Sequence, residues 1–262
     1  MKVTVCQLHN GREAFGRDWD RLVAHVRAQH SDLMLLPEMP FFPWFPTPRE
    51  FDAGVWRAAV AAHDDWEKRL SELAPAVVLG TRPMDFGGLR YSAGFAWNDD
   101  EGIAATIHVK TCLSNEEGAW ETTWYEGAVP DFESATVGAA SIGMLIGMEL
   151  WATDQAKAYG KDGVHIVAVP RVNGAVHDAS AEPIEEWLAG GCRVAMVSGA
   201  FCISSSRGGH GDSAGGAGWI ISPYGKSLAV TSADEPFVSA EIDLAAVVHS
   251  RRPRGSRPRD LV

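Results

Sequence analysis

Residues 141–151 of the chain read SIGMLIGMELW, and this stretch decides where an α/β fold would carry a functional site. Residues 141–146 form a short, mostly apolar run that predicts a buried strand. Gly147, Met148 and Glu149 then predict a turn that opens a helix, whose N-terminus favours the charge of Glu149. Open α/β sheets bind their ligands at the carboxyl ends of strands, so we expect a site around Gly147. Glycine itself has no side chain that could react there.

Length and composition indicate a soluble globular protein that forms one domain over residues 1–250. The chain has 262 residues, of which 46% are hydrophobic and 22% are charged, and no linker-like stretch divides it. No apolar run approaches the ~20 residues that span a bilayer, so we expect no membrane segment. The N-terminus, MKVTVCQLHN, begins as a strand and not as a signal peptide, which favours a cytoplasmic location.

Charge and histidine spacing argue against several classes of partner and cofactor. The net charge of −11 argues against a general nucleic-acid binder. The basic tail, residues 251–262, is interpreted as solvated or as a strap onto a partner subunit, with an anion-binding arm as the alternative. The nine histidines form no HxH or HExxH spacing, so no metal site is expected.

Strand and helix patterns alternate along the chain. Strands are predicted at residues 2–8, 33–36, 77–80, 90–97, 103–110, 135–137, 141–146, 164–169, 194–204, 219–222, 227–231 and 237–242. Helices are predicted at residues 18–30, from a capping box at 47–50 to about 73, from the turn at Gly147 to about 159, and at 180–190. Hairpins combined with helical crossovers imply an α/β sandwich with helices outside the sheets.

Glu38, Lys110 and Gly147 each follow a predicted strand. A carboxylate, an ammonium group and a small-residue turn at strand ends are the elements of a site for attack on a polarised carbon. Glu38 would act as general base, and Lys110 would stabilise a developing oxyanion.

Segments around these three residues resemble the nitrilase superfamily of carbon–nitrogen hydrolases over essentially the whole chain. The matching pieces are LMLLPEMPFFPW, HVKTCLSNEEGAWETTWYEG, IGMLIGMELW, HIVAVPR, GAGWIISPYG and PFVSAEIDL. The resemblance implies an α/β fold of the αββα sandwich type, which commonly dimerises into an αββααββα core. It also implies hydrolysis of a small amide, nitrile or carbamoyl compound through a covalent enzyme intermediate, without metal or cofactor.

The resemblance assigns the family's base to Glu38, its lysine to Lys110 and its further acidic residue to Glu121, with Glu116 and Glu117 as weaker candidates. Its nucleophilic cysteine, in the pattern G-x-x-I-C-x-(D/E), falls on Gly147. No Cys, Ser or Thr stands between Ile142 and Ala152 to replace it. The glycine is expected to leave a space about the size of a thiol side chain, open to water or substrate.

Residues flanking the motifs are candidates for contact with substrate. Trp44, Trp120 and Trp151 could line a pocket, although packing is an equally good interpretation of Trp151. Met148 and Glu149 adjoin the turn, and Glu149 could bond either the turn or the lysine. Arg171 could bind a substrate carboxylate or pair with an acidic residue. Cys112 is either a displaced nucleophile or, as we expect, a small buried residue.

Three hypotheses about function follow from the missing cysteine. The protein is an enzyme that uses Glu38, Lys110 and Glu121 on an unusual substrate without a thiol. Alternatively it is an inactive cysteine-to-glycine form of an ordinary amidase or nitrilase. In the third, the fold is a ligand-binding or interaction module without catalysis.

Overall fold

Alternating apolar residues give the inner strands two buried faces. The computed structural model describes residues 1–129, 133–172, 184–207 and 216–250. Strand β2 (Leu33–Leu35) illustrates the pattern, because Leu33 and Leu35 lie in one hydrophobic cluster and Met34 lies in another. Successive side chains on a strand point to opposite faces, so each such strand contributes to two layers of core.

The described residues contain twelve strands in two sheets. They are β1 (Lys2–Leu8), β2, β3 (Val77–Phe86), β4 (Leu89–Asn98), β5 (Gly102–Val109), β6 (Ala135–Val137), β7 (Ala140–Met144), β8 (Ile166–Val172), β9 (Phe201–Arg207), β10 (Trp219–Ile221), β11 (Ser227–Val230) and β12 (Phe237–Glu241). One sheet has the order β5-β4-β3-β2-β1-β12 and the other β6-β7-β8-β9-β10-β11. The sheets join where the ends of β1 and β9 pair, at Gln7 with Ser206 and Leu8 with Arg207.

Six α-helices lie in the described part of the chain. They are α1 (Arg12–Gln29), α2 (Ala53–Glu67), α3 (Glu121–Trp124), α4 (Thr153–Asp162), α5 (Ile184–Ser198) and α6 (Ala245–Ser250). One hydrophobic cluster lies between the sheets, a second lies between the first sheet and α1, and a third lies between the second sheet and α4 and α5. These layers confirm the expected αββα sandwich.

Several boundaries differ from the sequence-based expectation. Helix α1 begins at Arg12 and not at residue 18, and residues 194–198, predicted as strand, are helical. The capping box at residues 47–50 is not used; α2 begins at Ala53, because the Asp52 carboxylate accepts hydrogen bonds from the N–H groups of Gly54 and Val55. Helix α5 does not stop at Gly190 but continues to Ser198. A Cβ atom at Gly190 would lie 2.8 Å from the Trp151 ring, so this glycine serves close packing and not helix termination.

Some expectations stay predictions. None of the helices in the described part of the chain combines the length and apolarity needed to cross a membrane. The basic tail, residues 251–262, lies outside the described residues. The dimer and the cytoplasmic location stay predictions.

Candidate functional site

The ends of three strands bring Glu38, Lys110 and Gly147 together. Glu38 follows β2 and Lys110 follows β5 in one sheet, whereas Gly147 follows β7 in the other. A Cβ atom placed on Gly147 would lie 2.9 Å from Glu38 Oε2 and 3.0 Å from Lys110 Nζ. The three positions chosen from the sequence therefore form one site, at the C-terminal ends of β2, β5 and β7.

Lys110 is held between two buried carboxylates. Its Nζ donates to Glu38 Oε1 at 2.8 Å and to Glu121 Oε1 at 2.6 Å. The three side chains are 1%, 2% and 4% exposed for Lys110, Glu38 and Glu121, respectively. Glu121 is oriented by the N–H of Ser114, which donates to its Oε2 at 2.9 Å. Of the acidic candidates in this loop, Glu121 is the one that reaches the lysine, whereas Glu116 and Glu117 are exposed.

Burial and the shared charges shift the pKa values of this cluster. Burial raises the pKa of Glu38 to about 7, against the opposing charge of Lys110 and with the help of Glu121. Burial alone would lower the pKa of Lys110, but the charges of Glu121 and Glu38 outweigh it and raise that pKa above its ordinary value. Lys110 therefore stays an ammonium group, while Glu38 can exchange a proton near neutral pH.

Gly147 adopts a left-handed backbone conformation with φ of +58°. An L-residue with a side chain is strained there, whereas glycine adopts it freely. The space expected beside it is not open. The ends of the Glu38 and Lys110 side chains occupy it, since they lie within about a van der Waals contact of the missing Cβ. That expectation was wrong because two long side chains can extend into the room that a short one leaves.

Glu149 ties the Gly147 turn to the loop that follows Lys110. Its Oε1 accepts from the Thr111 N–H (2.6 Å), the Thr111 hydroxyl (2.7 Å) and the Cys112 N–H (3.2 Å). Its Oε2 accepts from the Ile146 N–H at 2.7 Å and pairs with His108 Nε2 at 2.8 Å. Burial would raise the pKa of Glu149, but His108 and these hydrogen bonds lower it. Of the two roles considered for Glu149, the structure supports bonding to the turn.

Glu149→Gln is expected to reduce the free energy of unfolding by about 2–3 kcal/mol. The amide replaces an accepting oxygen with a donor that would face either the Ile146 N–H or the Thr111 N–H. Urea unfolding at pH 7.5 measures the change, with the exposed Glu117→Gln as control. Since the pKa of Glu149 is lowered, the difference should shrink as the pH falls through it. Equal losses in both variants would contradict the assigned contacts.

The loop after Glu38 is fixed by residues that the sequence did not single out. Arg207 donates from Nη1 to the Met39 carbonyl at 3.0 Å and from Nη2 to the Phe42 carbonyl at 2.6 Å. The Met39 N–H donates to Thr81 Oγ1 at 2.7 Å. Burial lowers the pKa of Arg207 to about 9, opposed by the charge of Glu38. The polar run SSSR at the end of an otherwise apolar strand is the sequence signal that could have drawn attention to Arg207.

The tryptophans proposed to contact substrate lie in different surroundings. Trp44 is half-buried beside an aromatic cluster with Phe45, and Trp120 is half-buried with the Arg49 guanidinium 5.1 Å from its ring centroid. Trp151 packs against Trp187 with a centroid separation of 5.6 Å, as its packing interpretation expected.

The remaining candidates also differ in burial. Met148 is 40% exposed. The Arg171 guanidinium is buried against the rings of Trp187 and Trp219, at 4.9 and 4.1 Å, and donates to Ser204 Oγ at 2.8 Å. Its backbone carbonyl accepts the N–H of Glu38 at 3.3 Å. Substrate contact stays a prediction for these residues and for the tryptophans.

Cys112 does not have the buried environment that we expected. Its side chain is exposed, because β5 ends at Val109 and the chain leaves the sheet before it reaches this residue. Within the described ranges, no three His, Cys, Asp or Glu side chains form a group that could hold a metal ion.

Comparisons with known proteins agree with this architecture. Residues 2–252 match the family model for carbon-nitrogen hydrolase. No curated protein sequence matches the chain. A carbon-nitrogen hydrolase from Helicobacter pylori G27 has a similar structure, with a TM-score of 0.81, 19% identity, and coverage of 96% of this chain and 92% of that one.

Two structures of the amidase from Nesterenkonia sp. AN1 are also similar. A glutamate-to-glutamine mutant, which shows covalent addition of the acetamide moiety of fluoroacetamide at the active-site cysteine, has a TM-score of 0.72 and 17% identity, and 96% of this chain covers 94% of that one. A cysteine-to-alanine mutant in complex with butyramide has a TM-score of 0.73 and 16% identity, with the same coverage. The family match over nearly the whole sequence shows that the chain belongs to the carbon–nitrogen hydrolase family.

Proposed function

We propose that the protein acts on a small amide or related C–N compound by general-base chemistry, without a covalent intermediate. The observation that carries this proposal is the buried cluster of Glu38, Lys110 and Glu121 beside Gly147. Maintaining three buried charges is costly, and a binding module has no evident need for them. Perturbed carboxyl pKa values of this kind are typical of catalytic sites.

We further propose that Gly147 occupies the position of the family's nucleophile. It follows a strand at the point where Glu38 and Lys110 converge, and its left-handed backbone forms a sharp turn between strand and helix. The related amidase carries an active-site cysteine that reacts with fluoroacetamide. In this chain the corresponding step has no thiol to carry it.

The two oxygens of Glu38 have different tasks in the proposed reaction. Oε1 accepts from Lys110, whereas Oε2 faces Gly147. Once a substrate displaces the side-chain ends from this space, Oε2 takes a proton from water, and the resulting hydroxide attacks the carbonyl carbon. Lys110 stabilises the oxyanion, and Glu38 returns the proton to the departing amine. General-base catalysis of this kind accelerates a reaction by roughly 10²–10⁴-fold, so slow turnover is expected.

The proposed base gives the activity a defined pH dependence. Because Glu38 must be ionised, kcat/KM for butyramide is expected to rise about tenfold per pH unit below pH 7 and to level off above about pH 7, where its pKa lies. Conversely, a raised carboxyl pKa favours the protonated folded state, so the contribution of Glu38 to stability falls as the pH rises from its ordinary 4.5 towards 7. Ammonia release between pH 5 and 9 measures the first effect. A pH-independent rate that persists in Glu38→Gln would contradict this role.

A second candidate function is ligand binding without catalysis. The observation that favours it is the closed space at Gly147, where Glu38 Oε2 and Lys110 Nζ lie at 2.9 and 3.0 Å from the missing Cβ. Because the ends of the Glu38 and Lys110 side chains fill this space, little room remains for the water that hydrolysis requires.

One experiment distinguishes three possibilities: the proposed hydrolase, an amidase that has lost its nucleophile, and a binding protein. Ammonia release from butyramide is measured for the unmodified protein, Glu38→Gln and Gly147→Cys. Turnover by the unmodified protein that Glu38→Gln abolishes supports the proposed hydrolase. Turnover by Gly147→Cys alone identifies an amidase that has lost its nucleophile. Butyramide binding with no turnover in any form supports the binding protein.

A further inference from the structure

His108 is a buried titratable side chain that neither the sequence motifs nor the proposed mechanism uses. It lies in β5 two residues before Lys110, whose N–H continues the strand pairing by donating to the Ser92 carbonyl at 2.9 Å. Side chains two residues apart in a strand share a face of the sheet. On this face His108 Nε2 lies 2.8 Å from Glu149 Oε2, and the two side chains are 2% and 0% exposed. The pair thus joins the strand end that carries Lys110 to the turn that contains Gly147.

The ionisation of Glu149 fixes the direction of this hydrogen bond. Burial opposes its negative charge, but His108 and the hydrogen bonds to the turn outweigh burial and lower the pKa of Glu149. A carboxylate has only acceptors, so His108 must donate from Nε2. In the part of the chain that the structure describes, the other groups on the two carboxylate oxygens are the Ile146, Thr111 and Cys112 N–H groups and the Thr111 hydroxyl. Among these partners, His108 is the one that can also meet the carboxylate with a charge of its own.

The charge of Glu149 also acts on Glu38. Burial is the main reason why the pKa of Glu38 rises to about 7, and the charge of Glu149 adds to that rise. The charged and titratable groups that face Glu38 from the surrounding elements are Lys110, Glu121, Tyr125, Glu149 and Arg207. The phenol of Tyr125 is neutral, because burial raises its pKa well above the ordinary value. A group that offsets the charge of Glu149 therefore eases the ionisation of Glu38.

We propose that His108 is a positioning residue: its Nε2–H group holds Glu149, offsets the charge of that carboxylate, and so lowers the pH at which Glu38 becomes a base. This inference deepens the proposed function, and its kinetic test rests on that function. If His108 is removed, Glu149 stays ionised through its remaining donors, and Glu38 faces an anion that is less well compensated. Glu38 then keeps its proton to a higher pH. Removing the charge of Glu149 has the opposite effect, which distinguishes an electrostatic role of His108 from a structural one.

Carbon-13 NMR of protein labelled at the glutamate carboxyl carbons follows the ionisation of Glu38, whose signal is assigned by its absence from Glu38→Gln. We expect His108→Leu to move the midpoint up by about 0.5 pH and Glu149→Gln to move it down by a similar amount, less than a charge in direct contact would cause. His108→Leu combined with Glu149→Gln should match Glu149→Gln alone, because the imidazole then has no charge to offset. His108→Gln, which retains a donor, and His30→Leu, at an exposed histidine, should leave the midpoint in place.

Two further measurements use the same proteins. Nitrogen-15 NMR of the unmodified protein needs no substitution that could unfold it, and His108 Nε2 should carry a proton between pH 6 and 9. The rising part of the kcat/KM profile for butyramide should move with the midpoint of Glu38. At pH 6, where the profile rises about tenfold per pH unit, His108→Leu should be about threefold less active than the unmodified protein, and above pH 8 the two should converge.

The outcomes distinguish this inference from the function beneath it. An unchanged midpoint in His108→Leu, shifts in the same direction for His108→Leu and Glu149→Gln, or an unprotonated His108 Nε2 overturns the inference and leaves the proposed function standing. A shift in His108→Gln as large as that in His108→Leu also overturns it, because the donor would then play no part. If the midpoints move as expected but no form of the protein releases ammonia, the proposed function fails while the coupling of His108 to Glu38 stands.

Discussion

Lys110→Met is expected to lower the free energy of unfolding by about 3–5 kcal/mol, because it leaves two buried carboxylates facing each other without their cation. Lys110 Nζ donates to both Glu38 and Glu121, so neither carboxylate keeps its present partner. Urea unfolding at pH 7.5 measures the loss. It should be smaller at pH 5, because Glu38, whose pKa burial raises to about 7, is then protonated.

Two further variants identify the origin of that loss. Adding Glu38→Gln and Glu121→Gln to Lys110→Met removes all three charges and should recover much of the stability, since a buried ion cluster contributes little net free energy. Lys226→Met, at an exposed lysine, should be close to neutral. If Lys110→Met and Lys226→Met change the free energy of unfolding equally, Lys110 is hydrated and does not form a buried cluster with the two carboxylates.

Gly147→Cys is expected to create a reactive thiol and to raise the rate of butyramide hydrolysis by roughly 10²-fold or more, given the large cost of losing a nucleophile in other hydrolases. The same change should lower the free energy of unfolding by about 1–3 kcal/mol. A side chain at a φ of +58° is strained, and its Cβ would meet Glu38 Oε2 at 2.9 Å. Ammonia release and urea unfolding measure the two effects.

Gly147→Ala is the matched control, because it introduces the same backbone strain without sulfur. It should lose a similar amount of stability and gain no activity. Fluoroacetamide labelling followed by peptide mass mapping locates the new thiol, in a Cys112→Ser background because Cys112 is exposed. Labelling at position 147 no faster than at Cys112 in the original background would contradict the assignment of a nucleophile position.

Local patterning predicted the layers of this fold better than it predicted helix ends. Strands such as β1 and β6 have the bounds that alternation and turn residues indicate. The extent of α5 was missed because Gly190 signals termination in isolation, whereas its use here depends on the distant Trp151 ring. A contact between residues 39 positions apart in sequence leaves no local pattern.

Only part of the site could be predicted, again because contacts between distant residues leave no local pattern. Glu38 and Lys110 were chosen because each follows a predicted strand, and Glu121 because the resemblance assigns an acidic residue to it. The structure brings all three within hydrogen-bonding distance. His108 and Arg207 were missed, since their neighbours come from other strands and loops. The filling of the space at Gly147 could not be foreseen either, because it depends on the reach of two flexible side chains.

The left-handed turn at Gly147 also bears on how such a protein evolves. If Gly147 stands at the nucleophile position, as we propose, a cysteine there would carry backbone strain that glycine does not, so losing the thiol would stabilise the fold. Restoring it would require accepting that penalty again before any activity returned. On this proposal, a chain without the thiol gains stability, and selection for a new use of the remaining base and cation would act on a more stable fold.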